Sequence, residues 1–431
     1  MLRIAQYLTI VTLFACPWCF GFITIQENRL SIIDVMGPLC AIVALFLVRR
    51  ETIRSLHLFV VAYLAVVFLS ELRLFSGPDF YLLLSKCSRL VGIMSPALLF
   101  SLLPFGQRSW GRVVSAFYWG GLISVLYGIA AFYYQWSFGT AVQQYYYENG
   151  LYLRRAGGVF QDSSAFGHLL ATWAAVAILF LHQRRSKLQL VTLAGTFLVT
   201  AAGLYACLSR AAVANLLVVG FLICVLPKRG ESNLAKLQMI GAFCCGLLLL
   251  FVISDDTRQR IVGQLQFAGL RMLSTWTAAS EGIEALDDSG ANRLTTWNRA
   301  IEIWEDHPLI GTGYKNLAQE YGITADNTMI LALVETGVAG AILFGICVIA
   351  IFRRAILMYL RRLPGGREVV IFLGGQAMHS ILVDTITFTG SMPLVFLIGM
   401  ALCRSDWFRE HPRKPIGVSE IPQQVGWAAP A

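Results

Sequence analysis

The sequence predicts an all-α, polytopic membrane protein, with about 12 transmembrane helices and a large extracytoplasmic loop containing short amphipathic helices. Three observations predict it: a shortage of charge, apolar stretches of span length, and basic residues concentrated in every second loop. Of the 431 residues, 57% are hydrophobic and 14% charged, and the mean hydropathy is +0.65. A soluble domain carries roughly 25% charged residues. Too few polar groups are present to coat a soluble globule of this size. Lipid must replace water over much of the surface, and helices must satisfy most of the backbone.

The apolar stretches run approximately over 4–24, 31–48, 56–72, 80–103, 112–136, 163–182, 188–207, 210–227, 237–254, 326–352, 368–388 and 391–404. Each approaches the roughly 20 residues that a bilayer requires. The polar pair Ser209-Arg210 divides the seventh from the eighth. The first stretch lacks a small-residue cleavage site after its apolar core, so it is expected to be a retained span.

Orientation follows from Lys and Arg. With the N-terminus in the cytoplasm, the inside segments carry Arg3; Arg49, Arg50 and Arg54; Arg108 and Arg112; Arg184, Arg185 and Lys187; Lys228, Arg229 and Lys236; Arg353, Arg354, Arg361, Arg362 and Arg367; and Arg404, Arg409, Arg413 and Lys414. These are most of the 34 basic residues, and they account for the net charge of +9 without any nucleic acid. Residues 1–410 therefore read as one membrane domain with membrane lipids as its surroundings. Its outer loops lie at about 137–162 and 255–325. The tail 411–431, with Pro and Gly and no periodicity, is expected to be a disordered cytoplasmic end.

The longer loop has its own pattern. Ile261, Leu265, Ala268, Met272 and Trp276 recur at helical spacing, which suggests an amphipathic surface helix. Leu294, Trp297, Ile301 and Trp304 mark a second, starting near Asn292 and stopped by Pro308 and Gly311. Both could merely fill space; packed over the mouth of a bundle, they would form a lid or floor. The ten cysteines all fall in or beside apolar stretches, so no outer disulfide framework is indicated. Cys16-Pro17-Trp18-Cys19 has redox spacing, but in apolar company it reads as helix packing.

Among the arginines that face outward in this topology, Arg154 and Arg155 lie before the sixth span, Arg210 between the seventh and eighth, and Arg293 at the start of the second loop helix. A guanidinium is a planar, permanently charged fork that suits phosphate oxygens. Gathered at the outer edge, these side chains suit the diphosphate of a lipid-linked substrate; each alone could simply snorkel to the interface. Asp326, followed by Asn327, begins the tenth span, and Glu335 lies two turns in. Asp384 lies near the outer end of the eleventh, after His379. Ionisable groups in membranes are functional suspects, and burial raises a carboxyl toward the range of a general base. Asp326 is equally well placed to cap a helix. Asp255-Asp256 and Asp287-Asp288 lack the companions of a dedicated metal site. Gly311-Thr312-Gly313 lacks the Lys-Ser/Thr of a nucleotide-phosphate loop. Neither a metal nor any other cofactor is expected.

Arg155-Ala156-Gly157-Gly158-Val159-Phe160-Gln161-Asp162 resembles the R-x-x-G-x-F signature of bacterial O-antigen ligases and O-antigen polymerases, the WaaL/Wzy group. Leu208-Ser209-Arg210-Ala211-Ala212 looks like that family's S-R element. Arg293 through Tyr314, with Trp297, Pro308 and Gly311-Thr312-Gly313-Tyr314, looks like its large periplasmic loop. Asp326-Asn327-Thr328 through Glu335 to Gly340 looks like the element that follows. The likeness covers roughly 150 to 340, in order.

The resemblance implies a multi-pass protein of the bacterial inner membrane, with cytoplasmic termini and periplasmic loops. It implies transfer of a glycan from undecaprenyl diphosphate to an acceptor hydroxyl, without nucleotide or metal. The acceptor is another lipid-linked glycan for a polymerase and the lipid A core for a ligase. On this reading Asp326 is the catalytic base, and Arg155, Arg210 and Arg293 bind the diphosphate. Arg154, Trp297, Tyr314, Asn327 and Glu335 are candidates for substrate contact. Ligases typically place His where this chain has Asp326, and Ser163-Ser164 replaces the usual Pro-Asn. The Asp326 departure weakens the core-ligase reading, while a carboxylate can still serve as general base, so a polymerase of O-antigen or exopolysaccharide repeats is expected. A transporter is the alternative of another class, but the ionisable groups favour the outer edge over the midplane and no internal repeat is apparent. A non-catalytic partner in a polysaccharide machine is a third possibility.

Overall fold

The computed structural model describes residues 2–18, 21–25, 28–48, 55–71, 80–103, 107–134, 143–148, 151–160, 162–181, 187–226, 288–363, 365–385 and 391–401. The ninth stretch, the surface helix expected over 261–276, the aspartate pair Asp255-Asp256 and the tail 411–431 lie outside them.

Helices dominate. In chain order they are α1 Leu2–Ala15, α2 Ile32–Leu47, α3 Ser55–Ser70, α4 Phe80–Leu102, α5 Gln107–Tyr134, α6 Ser163–Val176, α7 Lys187–Cys207, α8 Arg210–Val225, α9 Asp288–Asp306, α10 Asn316–Tyr321, α11 Thr328–Leu360, α12 Gly366–Leu382 and α13 Met392–Ala401. By length and composition, the segments Trp110–Tyr134, Ser163–Phe180 and Thr328–Leu360 can each cross a membrane. Five shorter described helices are apolar: Ile32–Leu47, Ser55–Ser70, Val191–Cys207, Arg210–Val225 and Met392–Ala401. This architecture fits a helical membrane protein.

The all-α expectation needs correction in two places. The stretch 4–24 does not continue as one helix, because Pro17 cannot extend it; α1 ends at Ala15, and a 3-10 turn Cys16–Trp18 follows. Next comes an antiparallel hairpin of β1 Gly21–Ile25 and β2 Asn28–Ser31. The first outer loop is also a hairpin, β3 Gln143–Glu148 with β4 Leu151–Ala156, in register from Gln143↔Ala156 to Glu148↔Leu151.

The bundle packs α2 on α4, α12 on α8, α13 on α4, α11 on α3 and α12, and α1 on α5. Gly37 and Gly92 let the α2 and α4 backbones touch, since a Cβ on Gly37 would collide with Gly92. The main core runs through Ile33, Ile93, Phe100, Phe117, Phe166, Trp173 and Phe372. A second, smaller core of Ala300, Leu317, Ile323, Ala325, Leu331 and Val334 joins α9, α10 and the start of α11. We call residues 288–336, which the sequence reading places largely outside, the outer unit. The second loop helix is longer than expected, starting at Asp288 and not near Asn292. Ile301, expected on its apolar face, is 37% exposed, while Ala300 and Ile303 point into the small core with Trp304.

One feature of α11 positions everything that follows. Gly337 adopts φ 64°, ψ −173°, so the helix is broken there. Such a conformation is essentially restricted to glycine. The break frees backbone groups, and the turn before α10 satisfies them: Thr312 and Gly313 donate their N–H groups to the carbonyls of Val334 and Glu335, each at 2.9 Å. In return Val338 donates to Pro308 O at 2.9 Å and Ala339 to Leu309 O at 3.3 Å. Gly311 and Gly337 permit this approach, because a Cβ on either would strike the opposite backbone.

Candidate functional site

The arginines and carboxylates fall into two groups. The first surrounds Asp326, which lies in the turn before α11. Asp326 does not cap that helix. Asn327 does, accepting the N–H groups of Met329 at 2.9 Å and Ile330 at 3.1 Å. Asn327 also donates from Nδ2 to Ile381 O at 3.0 Å, tying α11 to the end of α12. The Asp326 carboxylate is thereby left for another partner. Arg293, near the start of α9, donates from Nε to Asp326 Oδ2 at 3.0 Å.

This pair is half open, with the arginine side chain 28% exposed and the aspartate 37%. Solvent reaches one side of the carboxyl and protein shields the other. That shielding raises the Asp326 pKa above the usual carboxylate range, against the opposing pull of Arg293. Asp162 adds to the rise, and Arg155 acts against it. Both therefore lie close enough to act on the same carboxyl. Asp162 itself caps α6, accepting from the N–H groups of Ser164 and Ala165 at 3.0 Å each.

Arg155 ends β4. Its Nε donates to Cys207 O at 2.8 Å and its Nη2 to Leu208 O at 3.2 Å. It thus holds the last carbonyls of α7, where Leu208 takes φ 49° to turn the chain into α8. Ser209 caps α8, accepting from Ala212 N at 3.3 Å, and half-buried Arg210 opens that helix. Arg155 and Arg210 therefore share one turn. Trp297, one turn after Arg293, is half-buried, and its indole N–H has no acceptor among the described residues. The backbone of Arg154 pairs with Tyr145, but its side chain lies outside the described residues.

The second group is centred on Glu335. Glu335 is 3% exposed, and its carboxylate receives the backbone N–H of Lys315. Tyr314 is 2% exposed, with no hydrogen-bond partner for its hydroxyl among the described residues. Glu335, Asp384 and Arg89 all act on Tyr314 electrostatically. Arg89 on α4 faces Asp34 on α2 at 3.4 Å. Lys86 on α4 pairs with Glu71, just after α3, at 3.6 Å, and donates to Asn316 Oδ1. The candidates Tyr314, Glu335 and Asp384 thus act on one another.

Sequence reasoning passed over Lys86, Glu71, Arg89 and Asp34. Their signal was available, since each is a charge within or at the edge of an apolar stretch. It also passed over His168, fully buried on α6, which contacts Ser391 Oγ at 2.5 Å and Gln376 Oε1 at 2.7 Å beside His379. No three His, Cys, Asp or Glu side chains are grouped to hold a metal ion among the described residues.

Residues 194–345 match the family model described as O-Antigen ligase (Wzy_C), which supports the O-antigen ligase/polymerase family for this chain. The match includes Arg210, Arg293, Trp297, Tyr314, Asp326, Asn327 and Glu335. No curated protein matches the chain.

Proposed function

We propose, with the O-antigen ligase/polymerase family as premise, that the protein transfers a glycan from undecaprenyl diphosphate to an acceptor hydroxyl at the periplasmic face of the bacterial inner membrane. The acceptor in this reading is a second lipid-linked repeat, so that the protein is a polymerase of O-antigen or exopolysaccharide repeats. The observation that carries the proposal is the half-open Arg293–Asp326 pair at 3.0 Å, with Arg155 close enough to act on the same carboxyl.

The chemistry follows from these groups. The acceptor oxygen attacks the anomeric carbon, and the bond from that carbon to the diphosphate oxygen breaks. The electron pair leaves with the diphosphate, whose charge Arg155, Arg210 and Arg293 neutralise. Asp326 takes the acceptor's proton. An arriving diphosphate competes with Asp326 for Arg293. Drawing Arg293 away removes the charge that lowers the Asp326 pKa, so donor binding makes Asp326 a stronger base. The indole N–H of Trp297, buried and without an acceptor among the described residues, would donate to a sugar hydroxyl once the site opens to substrate.

Deletion of the gene, read by surface-glycan electrophoresis, tests the proposal. Loss of long chains with single repeats retained supports a polymerase. Accumulation of lipid-linked polymer that never reaches lipid A redirects the reading to a ligase, the activity in the matched family's description. Unchanged surface glycan and lipid-linked pools contradict both.

A further inference from the structure

The reaction proposed above does not use Lys86 or Glu71, yet the fold buries both. Their side chains are 3% and 1% exposed, with 3.6 Å between the charged atoms. Burying two charges carries a large desolvation cost, and apolar side chains of similar volume commonly fill such a space equally well. Packing alone therefore does not explain the pair.

The third partner does. Asn316 accepts from Lys86 and donates from Nδ2 to Thr312 O at 2.7 Å. Gly313 has φ 101° and lies so close that a Cβ there would come within 2.5 Å of Glu71 Oε1. The turn 312–316 is consequently gripped from two sides. On one side α11 holds its backbone at Val334 and Glu335; on the other Lys86 of α4, paired with Glu71, holds Asn316.

The placement of this turn matters because of Gly337. The outer unit, with its own small core, carries Arg293 and Asp326. The bundle carries Arg155 and Arg210, at the α7–α8 turn. Within α11 the break at Gly337 separates the outer unit from the rest of the helix. Asn327 and Thr328 tether one side of the unit to the end of α12, through Ile381 O and Val383 O. We infer that Lys86, Glu71 and Asn316 form a second clamp, which fixes the outer unit across the Gly337 break so that the Arg293–Asp326 pair stands against Arg155. Lys86 and Glu71 are then positioning residues that act through the 312–316 turn without touching substrate. The inference rests on the transfer reading for its effect on rate, but not for its effect on the turn.

The test compares full-length wild type with the double variant Lys86→Met/Glu71→Met, purified into lipid nanodiscs. Three quantities are read: melting temperature, hydrogen exchange at the Thr312 and Gly313 amides, and transfer from a synthetic undecaprenyl-diphosphate glycan. The apolar pair is expected to melt within the range of wild type, since no lone charge is left buried. Exchange at the two amides is expected to rise. Turnover is expected to fall on the order of 10²-fold, with the donor KM unchanged, as for a misaligned reacting group. The single variant Lys86→Met, which removes the cation facing buried Glu71, should melt lower than the double. Wild-type exchange in the double variant overturns the clamp whatever the turnover; raised exchange with wild-type turnover overturns its positioning role. Should wild type itself fail to transfer, the proposed function falls, and the exchange measurement alone still decides the clamp.

Discussion

Two opposite-charge pairs bear on the outer unit, and the shorter of them is the more exposed. Arg293–Asp326 measures 3.0 Å with side chains 28% and 37% exposed, whereas Lys86–Glu71 measures 3.6 Å with 3% and 1%. Water screens the first, so its contribution to stability is about 0.2–1 kcal/mol, and a competing anion can open it. The second is sealed, and removing one partner of such a buried pair costs about 3–5 kcal/mol. The difference teaches that proximity does not mark the reactive pair. Access does: Arg293 and Asp326 can exchange each other for substrate, while Lys86 and Glu71 can only hold.

The largest expected effect on stability tests the sealed side. Lys86→Met should lower unfolding free energy by about 3–5 kcal/mol, read by thermal or denaturant unfolding of the purified protein. A loss comparable to that of a surface pair would erase the contrast. Gly337→Ala comes next, at about 1–3 kcal/mol from backbone conformation alone, and more where its Cβ meets the Leu309 carbonyl. The same unfolding assay reads it, and an unchanged melting temperature would mean that the break is not fixed by the turn.

The open side is tested by pH. Burial raises the Asp326 pKa and Arg293 opposes the rise, so Arg293→Gln should raise it further. A base must be deprotonated to act, and the acidic limb of the rate profile should therefore move to higher pH in Arg293→Gln. A limb that stays in place would detach Asp326 from that limb. The smallest effect is on stability: Asp326→Asn should change unfolding free energy by less than about 1 kcal/mol, because the exposed pair contributes little and Asn327 keeps the cap.

Much of the fold was legible because hydropathy and caps are local signals. The eighth stretch, 210–227, became α8 Arg210–Val225, and the seventh, 188–207, became α7 Lys187–Cys207. The hairpin β3–β4 was not read, since Tyr145-Tyr146-Tyr147 and Leu151-Tyr152-Leu153 show no clean alternation of apolar and polar residues. Asp326 and Asn327 are both good caps, and spacing could not choose between them. The candidate arginines were visible as outward charges, but their neighbours were not. Lys86 meets Asn316 across 230 positions, and nothing in a single sequence records such a pairing. Gly337 looked like an ordinary residue of an apolar span until the turn that meets it was placed.

The most direct measurement is transfer by the purified protein in liposomes, from an undecaprenyl-diphosphate glycan to a lipid-linked acceptor, with Asp326→Asn compared to wild type. The account predicts a fall of about 10²–10⁴-fold in turnover at an unchanged melting temperature, the loss expected when a general base is removed. Full transfer by Asp326→Asn would contradict it and take Asp326 out of the reaction.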